Sequence, residues 1–276
     1  NSYKSTLSQY ALQPSLPIWE GKGGVIWGDL EVCSLKTMMF EKYPSISPYT
    51  YCANNPVMFV DPTEETVFIV GDDGQRTPYD PNTTYSGKDP FTAEVYNALA
   101  TTNKSSEGKA MVDELVGSSN EFTIVRSNGL SDFKESNKDK AYANVIKTDP
   151  DSKLRYEALQ QKGVDISGGS GGTISWNSKG YNIVTTHGLE NNPTMHLVHE
   201  LSHASDANSG SMNTYIKDGL EMNEWQACYK TNIIRGQLQL PFQSYYGGEW
   251  DYNWNKPNPQ KGTYLLDNKG KPYIPK

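Results

Sequence analysis

Residues Thr194–Asp206 read TMHLVHELSHASD. Inside this stretch His199-Glu200-Leu201-Ser202-His203 places two histidines four apart, with a glutamate directly after the first. Four residues are about one helical turn, so on a helix both imidazoles share a face and can reach one zinc ion. Glu200 then meets water at that ion from the side, where it serves as general base. The helix is expected to start at Pro193, a residue favoured in a first turn, with Asn191 or Asn192 as its cap. It is expected to run to about Asp206 and to stop at Asn208-Ser209-Gly210. Leu197, Leu201 and Ala204, with Val198 on their flank, make an apolar back face. Chance H-E-x-x-H strings on solvated helices usually lack such a face, so the agreement carries weight.

A catalytic zinc site takes three protein ligands and keeps a position for water. Two places compete for the third. Asp206 shares the histidine helix, and its short side chain reaches an ion at that turn poorly. Its other reading is a local hydrogen bond, or a group that orients a ligand. Glu224 lies on the next expected helix, Gly219 to Leu238, which ends at Leu240-Pro241 and can return antiparallel across the first. Glu221, one turn earlier, is its rival, with surface charge as the alternative. His196 falls on the metal face, but three imidazoles along one helix bind a single ion badly. It is read as lying behind the ligands or as partly exposed, and His187 is unassigned. Tyr246, in the tyrosine pair after the second helix, is the candidate hydrogen-bond donor to a developing oxyanion.

Working outward, Thr66–Gly71 reads as a short buried strand closed by the turn Asp72-Asp73-Gly74. Phe91–Ala100 and Ser106–Val116 read as helices and Glu121–Arg126 as a strand. The polar stretch from Ser127 to Lys162 reads as loop with one short helix. A hairpin is expected from Thr173–Trp176 to Tyr181–Thr185, turning through Asn177-Ser178-Lys179-Gly180.

Composition narrows the function classes. The 276 residues carry 32 acidic and 25 basic side chains, a formal net charge of −7, with no basic block. Nucleic acid and an anionic membrane surface are therefore not expected as partners. No stretch reaches the ~20 apolar residues of a membrane helix. Cys33, Cys52 and Cys228 are far apart, which excludes a disulfide scaffold and a thiolate zinc site. The opening NSYKSTLSQY lacks a signal peptide's charged and apolar regions, and the missing initiator Met predicts a piece of a longer chain.

Two resemblances follow. Glu41–Pro62, EKYPSISPYTYCANNPVMFVDP, resembles the closing pattern of RHS repeat-associated core domains, departing from it in Thr63-Glu64-Glu65, where no glycine follows. That family encloses a variable C-terminal toxin. The resemblance implies residues 1–62 as the tail of such a core, 63–276 as a metallopeptidase domain, secreted or cell-surface placement, and an immunity protein as a possible partner. Thr194–Asp206 and EWQACYKTNIIRGQLQLPFQSYYG (Glu224–Gly247) resemble zinc metallopeptidase toxin domains related to the NleD-like secreted effector peptidases. Glu224, Ala227, Asn232, Arg235, Leu240, Pro241 and Tyr246 fall on the matched positions, which supports Glu224 as the third ligand. The fold implied is α+β and zincin-like: a small mixed sheet, the H-E-x-x-H helix, and a second ligand-bearing helix. The expected activity is that of a zinc-dependent endopeptidase on a protein substrate, with Zn2+ on His199, His203 and Glu224. The alternatives are an inactive RHS-associated surface module and a zinc hydrolase of small amides.

Overall fold

The apolar run Val67–Val70 forms strand β1, and Arg76–Pro78 folds back on it as β2. Phe122–Arg126 (β3), Asp132–Glu135 (β4) and Gly172–Trp176 (β5) complete a five-stranded sheet of order β2-β1-β3-β5-β4. β1, β3 and β5 are parallel, while β2 and β4 run antiparallel at the two edges. This computed structural model describes residues 66–247, 250–251, 256–257 and 262–275. The RHS-like stretch Glu41–Pro62, with the whole of 1–62, lies outside the described residues.

Seven helices accompany the sheet among the described residues: α1 (Pro90–Thr102), α2 (Ser106–Val116), α3 (Lys138–Ala141), α4 (Ala143–Thr148), α5 (Lys153–Gln161), α6 (Pro193–Asn208) and α7 (Met222–Gln237). The fold is thus mixed α+β. Side chains alternate across a strand, and Val67, Ile69, Phe122, Ile124, Ile174 and Trp176 are all buried on one face. They form one core with α1, α2 and α6 through Phe91, Leu99, Leu115, Leu197, Leu201 and Ala204. Each large apolar side chain buried this way contributes about 1.5–3 kcal/mol.

The hairpin expected from Thr173–Trp176 to Tyr181–Thr185 does not form. Both edges of β5 are taken, by β3 on one side and β4 on the other, so no edge is left for the following strand. Asn182–Thr185 (β6) instead pairs with Gly188–Asn191 (β7), register Val184↔Leu189. The stretch from Ser127 to Lys162 also holds more structure than expected, namely β4, α3, α4 and α5. β4 (DFKE) escapes an apolar-run search because an edge strand tolerates charge on its open side. α5 escapes it because it buries no residue at all.

The histidine helix α6 starts and stops where expected. Asn192 caps it, its side chain accepting from Met195 N, and Pro193 is its first residue. At the far end Gly210 takes φ +70, while Ser211 N donates to Asp206 O and Gly210 N to Ala207 O, a Schellman stop. Just beyond, the loop through Gly169 passes so close that a Cβ there would lie 1.7 Å from Asn208 O. Among the described elements α6 touches α1, α2, α3, α7, β4 and β5. From Met195 to Ala207 every residue except His199 is buried. The apolar back face is as read, but the opposite side faces protein and a cleft rather than open solvent.

α7 begins later than expected. Gly219 (φ +81) turns a two-residue ladder between Ile216–Lys217 (β8) and Leu220–Glu221 (β9), and the helix follows from Met222. After α7 the chain returns through Pro241 to Tyr245–Tyr246 (β10). Trp250–Asp251 (β11) pairs with Lys256–Pro257 (β12), and Thr263–Tyr264 (β13) pairs with β10.

Candidate metal centre

His199 and His203 project from the cleft side of α6, and Glu224 faces them from the first turn of α7. Glu224 Oε2 lies 3.1 Å from His199 Nε2, and Glu224 Oε1 lies 3.4 Å from His203 Nε2. The two imidazole nitrogens are 3.2 Å apart. These three side chains form the one group among the described residues whose possible ligand atoms all approach within 4.8 Å. Tetrahedral ligands about 2.0–2.1 Å from zinc stand ~3.3 Å from one another. The observed edges match that spacing, so the donor set fits a small ion of this kind.

Glu200 lies beside the group, 4% exposed. Burial pushes its carboxyl up to about 7, and the charges of Glu224 and Asp132 add to the effect against an opposing influence of His199. Glu224 is the reverse case: burial would raise it, but its bonds to His199 and His203 hold it well below the usual carboxylate range. Two nearby carboxylates thus occupy opposite electrostatic situations, one favouring a transferable proton and one a fixed negative charge.

All of them line a cleft of about 670 Å³, bordered by Asp132 and Phe133 of β4, Ile183 of β6 and Tyr246 of β10. Tyr246 stands close to Glu224, and burial together with the Glu224 charge pushes its phenol far above the ordinary tyrosine range. Its ring lies 6.2 Å from that of His199. What brings it there is a set of ties from α7. Asn232 Nδ2 donates to Gln243 O at 2.9 Å, and Gln243 N donates to Asn232 Oδ1 at 2.7 Å. Arg235, fully buried, bonds Pro241 O and pairs with Glu190 of β7. Glu224, Asn232 and Arg235 recur at helical spacing, so one stripe of α7 supplies both the carboxylate and the ties.

The family model of the Peptidase_M91 effector proteins matches residues 80–232, more than half of the chain. The chain belongs to this family. Membership makes it a peptidase of the effector class, with a protein as substrate. No curated protein and no solved structure matches the chain. The family match spans His199, His203 and Glu224 and ends before Arg235 and Tyr246.

Within this effector peptidase the remaining expected residues sort themselves. Asp206 is buried and accepts from Lys230 Nζ at 2.8 Å, and it is not part of the three-residue group. Glu221 precedes α7 and is not part of the group either. His196 is not partly exposed: it is 4% exposed, and its ring stacks on Tyr181 with centroids 3.9 Å apart. Burial pushes its imidazole down to about 4, so it is neutral at physiological pH. His187 is exposed, on the β6–β7 turn.

Tyr181 and Asp132 were not among the expected site residues, yet both line the cleft. Burial and the charges of Glu200 and Glu224 push the Tyr181 phenol up to about 12. Nothing in the sequence separates this tyrosine from the other 17 of the chain's 18. Asp132 sat in a stretch read as loop, and its use depends on β4 being a strand at the cleft rim.

Proposed function

We propose that this effector peptidase is a zinc-dependent endopeptidase in which His199, His203 and Glu224 hold the ion. The observation that carries the reading is the meeting of three ligand-type side chains, at edges of 3.1 to 3.4 Å, beside a buried glutamate in an open cleft. Zinc, when bound, supplies Lewis acidity toward water and toward a peptide carbonyl. Glu200 takes the proton of the attacking water and passes it to the amine as the C–N bond breaks. Its raised proton affinity suits a group that must first accept and then donate. Tyr246 offers its hydroxyl to the oxygen that gains negative charge. An extended substrate segment adds alongside edge strand β4, whose side chains line the same cleft.

A zincin-like arrangement is part of this proposal. It is supported by a mixed sheet whose antiparallel edge strand borders the cleft above α6. So is the larger architecture, in which residues 1–62 are the tail of an RHS-type core and 63–276 the effector domain delivered to a target cell; the Glu41–Pro62 resemblance supports it. No helix among the described residues is long and apolar enough to cross a membrane.

The test has two parts. Purified protein is expected to carry close to one zinc per chain by elemental analysis and to cleave casein in a chelator-sensitive way. Glu200→Gln is expected to keep the zinc and lose most turnover, while His203→Ala loses the zinc itself. Near-full turnover in Glu200→Gln, or no zinc after zinc is supplied, refutes the reading.

A further inference from the structure

Two complementary polar atoms on α6 are buried with no partner: Nδ1 of His203 and Oδ2 of Asp206. They belong to residues three apart on one helix, the spacing at which side chains are neighbours. Each has its other atom already engaged. His203 Nε2 is directed to His199 and Glu224. Asp206 Oδ1 accepts from Lys230 Nζ at 2.8 Å, reaching across from α7. Lys230 also approaches Ser205 Oγ at 3.3 Å, and Ser205 donates to Glu114 of α2 at 2.9 Å. Asp206 is thus anchored through one oxygen by two facing helices, while its other oxygen stays buried and unpaired. The His203 ring is near enough to act electrostatically on the Asp206 carboxyl.

We propose that Asp206 is a positioning residue: the two unpaired atoms are not bonded to each other in this structure, and when His203 holds the ion through Nε2 the Asp206 Oδ2 accepts its Nδ1–H, with Lys230 as the clamp on the other oxygen. The inference rests on the reading of His203 as a zinc ligand, and adds what orients it. A histidine that binds a metal through Nε2 must keep its proton on Nδ1, and a carboxylate at that proton fixes the tautomer and raises the basicity of Nε2. A buried carboxylate near the ligand set needs a cation to be tolerated, and removing one partner of such a pair leaves an uncompensated charge. Lys230 is that cation, and its position on the helix that also carries Glu224 couples two ligands to one frame.

The experiment measures zinc dissociation constants by competition with a chromophoric chelator for the wild-type chain, Asp206→Asn, Asp206→Ala, Lys230→Met and Ser205→Ala. Thermal melting of each metal-free protein is recorded alongside. Asp206→Ala is expected to weaken zinc binding about 10–100-fold. Asp206→Asn should recover part of the loss, since its amide oxygen still accepts the Nδ1–H, and Lys230→Met should fall between. Ser205→Ala lowers the melting temperature without moving the zinc constant. In zinc-loaded wild type the His203 Nδ1–H is expected as an exchange-protected downfield proton resonance, exchanging rapidly in Asp206→Ala. Unchanged zinc affinity and an unchanged resonance in a folded Asp206→Ala overturn the inference while leaving the metal reading intact. A wild-type chain that binds no zinc overturns both.

Discussion

Replacing Asn232 by alanine cuts the tie that brings Tyr246 back to the candidate metal centre. Asn232 is fully buried and exchanges two hydrogen bonds with the Gln243 backbone, at 2.9 and 2.7 Å. Without the side chain, the Gln243 N–H and C=O either stay in place unpaired or leave with the strand for water. At about 1–3 kcal/mol for each unsatisfied buried group, the change costs about 2–4 kcal/mol once partial relaxation is allowed. With 1.4 kcal/mol per factor of ten, the open state of this segment gains about 30- to 700-fold in population. The loss is local, because Ser244 N still bonds Val184 O and the core under the sheet is untouched. Amide hydrogen exchange at Gln243 and Ser244 is expected to accelerate by that factor. Zinc content should hold, since Glu224 sits two turns away on α7. Turnover should fall in proportion to the share of molecules with the segment open, toward the ~10²-fold cost of losing the proposed oxyanion donor. Asn232→Asp, which keeps the acceptor and sets a carboxylate against the Gln243 carbonyl, should be impaired at least as much. Unchanged exchange at Gln243 with full activity refutes the reasoning, as does loss of zinc ahead of any change in exchange.

Glu224→Ala should weaken zinc binding far more than Glu221→Ala. A crystal structure with metal should show an oxygen of Glu224 at ~2.0–2.2 Å, and finding Asp206 there with Glu224 turned to solvent would sink the assignment. Asp89 governs a pH effect away from the cleft: burial raises its carboxyl, but bonds from Thr92, Asp72 and Asp73 outweigh this and leave it lowered. A lowered folded value means stability that is present above the unfolded carboxylate value, ~3.9, and lost as pH falls through the folded one. Asp89→Ala, which also removes the α1 cap, should cost about 0.5–2 kcal/mol at pH 7, and urea titrations should show the gap to wild type closing below that value. Gly169→Ala sets a Cβ against Asn208 O and strains a backbone at φ +64. Its melting temperature should fall by several degrees, for about 1–3 kcal/mol of overpacking, and an unchanged melt would show that the loop moves aside freely.

Much of the candidate centre was legible along the chain because its residue spacing is local. A histidine pair four apart, a cap at Asn192 with Pro193 behind it, and a glycine stop at Gly210 all lie within one helix, where 3.6-residue geometry decides what meets. The same holds for β1, α1, α2 and β3, whose apolar spacing announces them. Two things were not legible. The first is strand pairing: β5 and β6 are near neighbours in sequence, and only the prior occupation of both β5 edges by β3 and β4 sends β6 to β7 instead. The second is which polar residues converge. Tyr181, Asp132 and His196 reach one cleft from the loop before β6, from β4 and from α6, and the pairing of Asp206 with Lys230 spans two helices. Long-range packing sets those distances, and no periodicity along the chain encodes it. The sequence by itself determined which helix carries the paired histidines; the tertiary structure decided which carboxylate faces them, because only the crossing of α6 and α7 brings Glu224 within hydrogen-bond reach of both imidazoles and turns Asp206 toward Lys230.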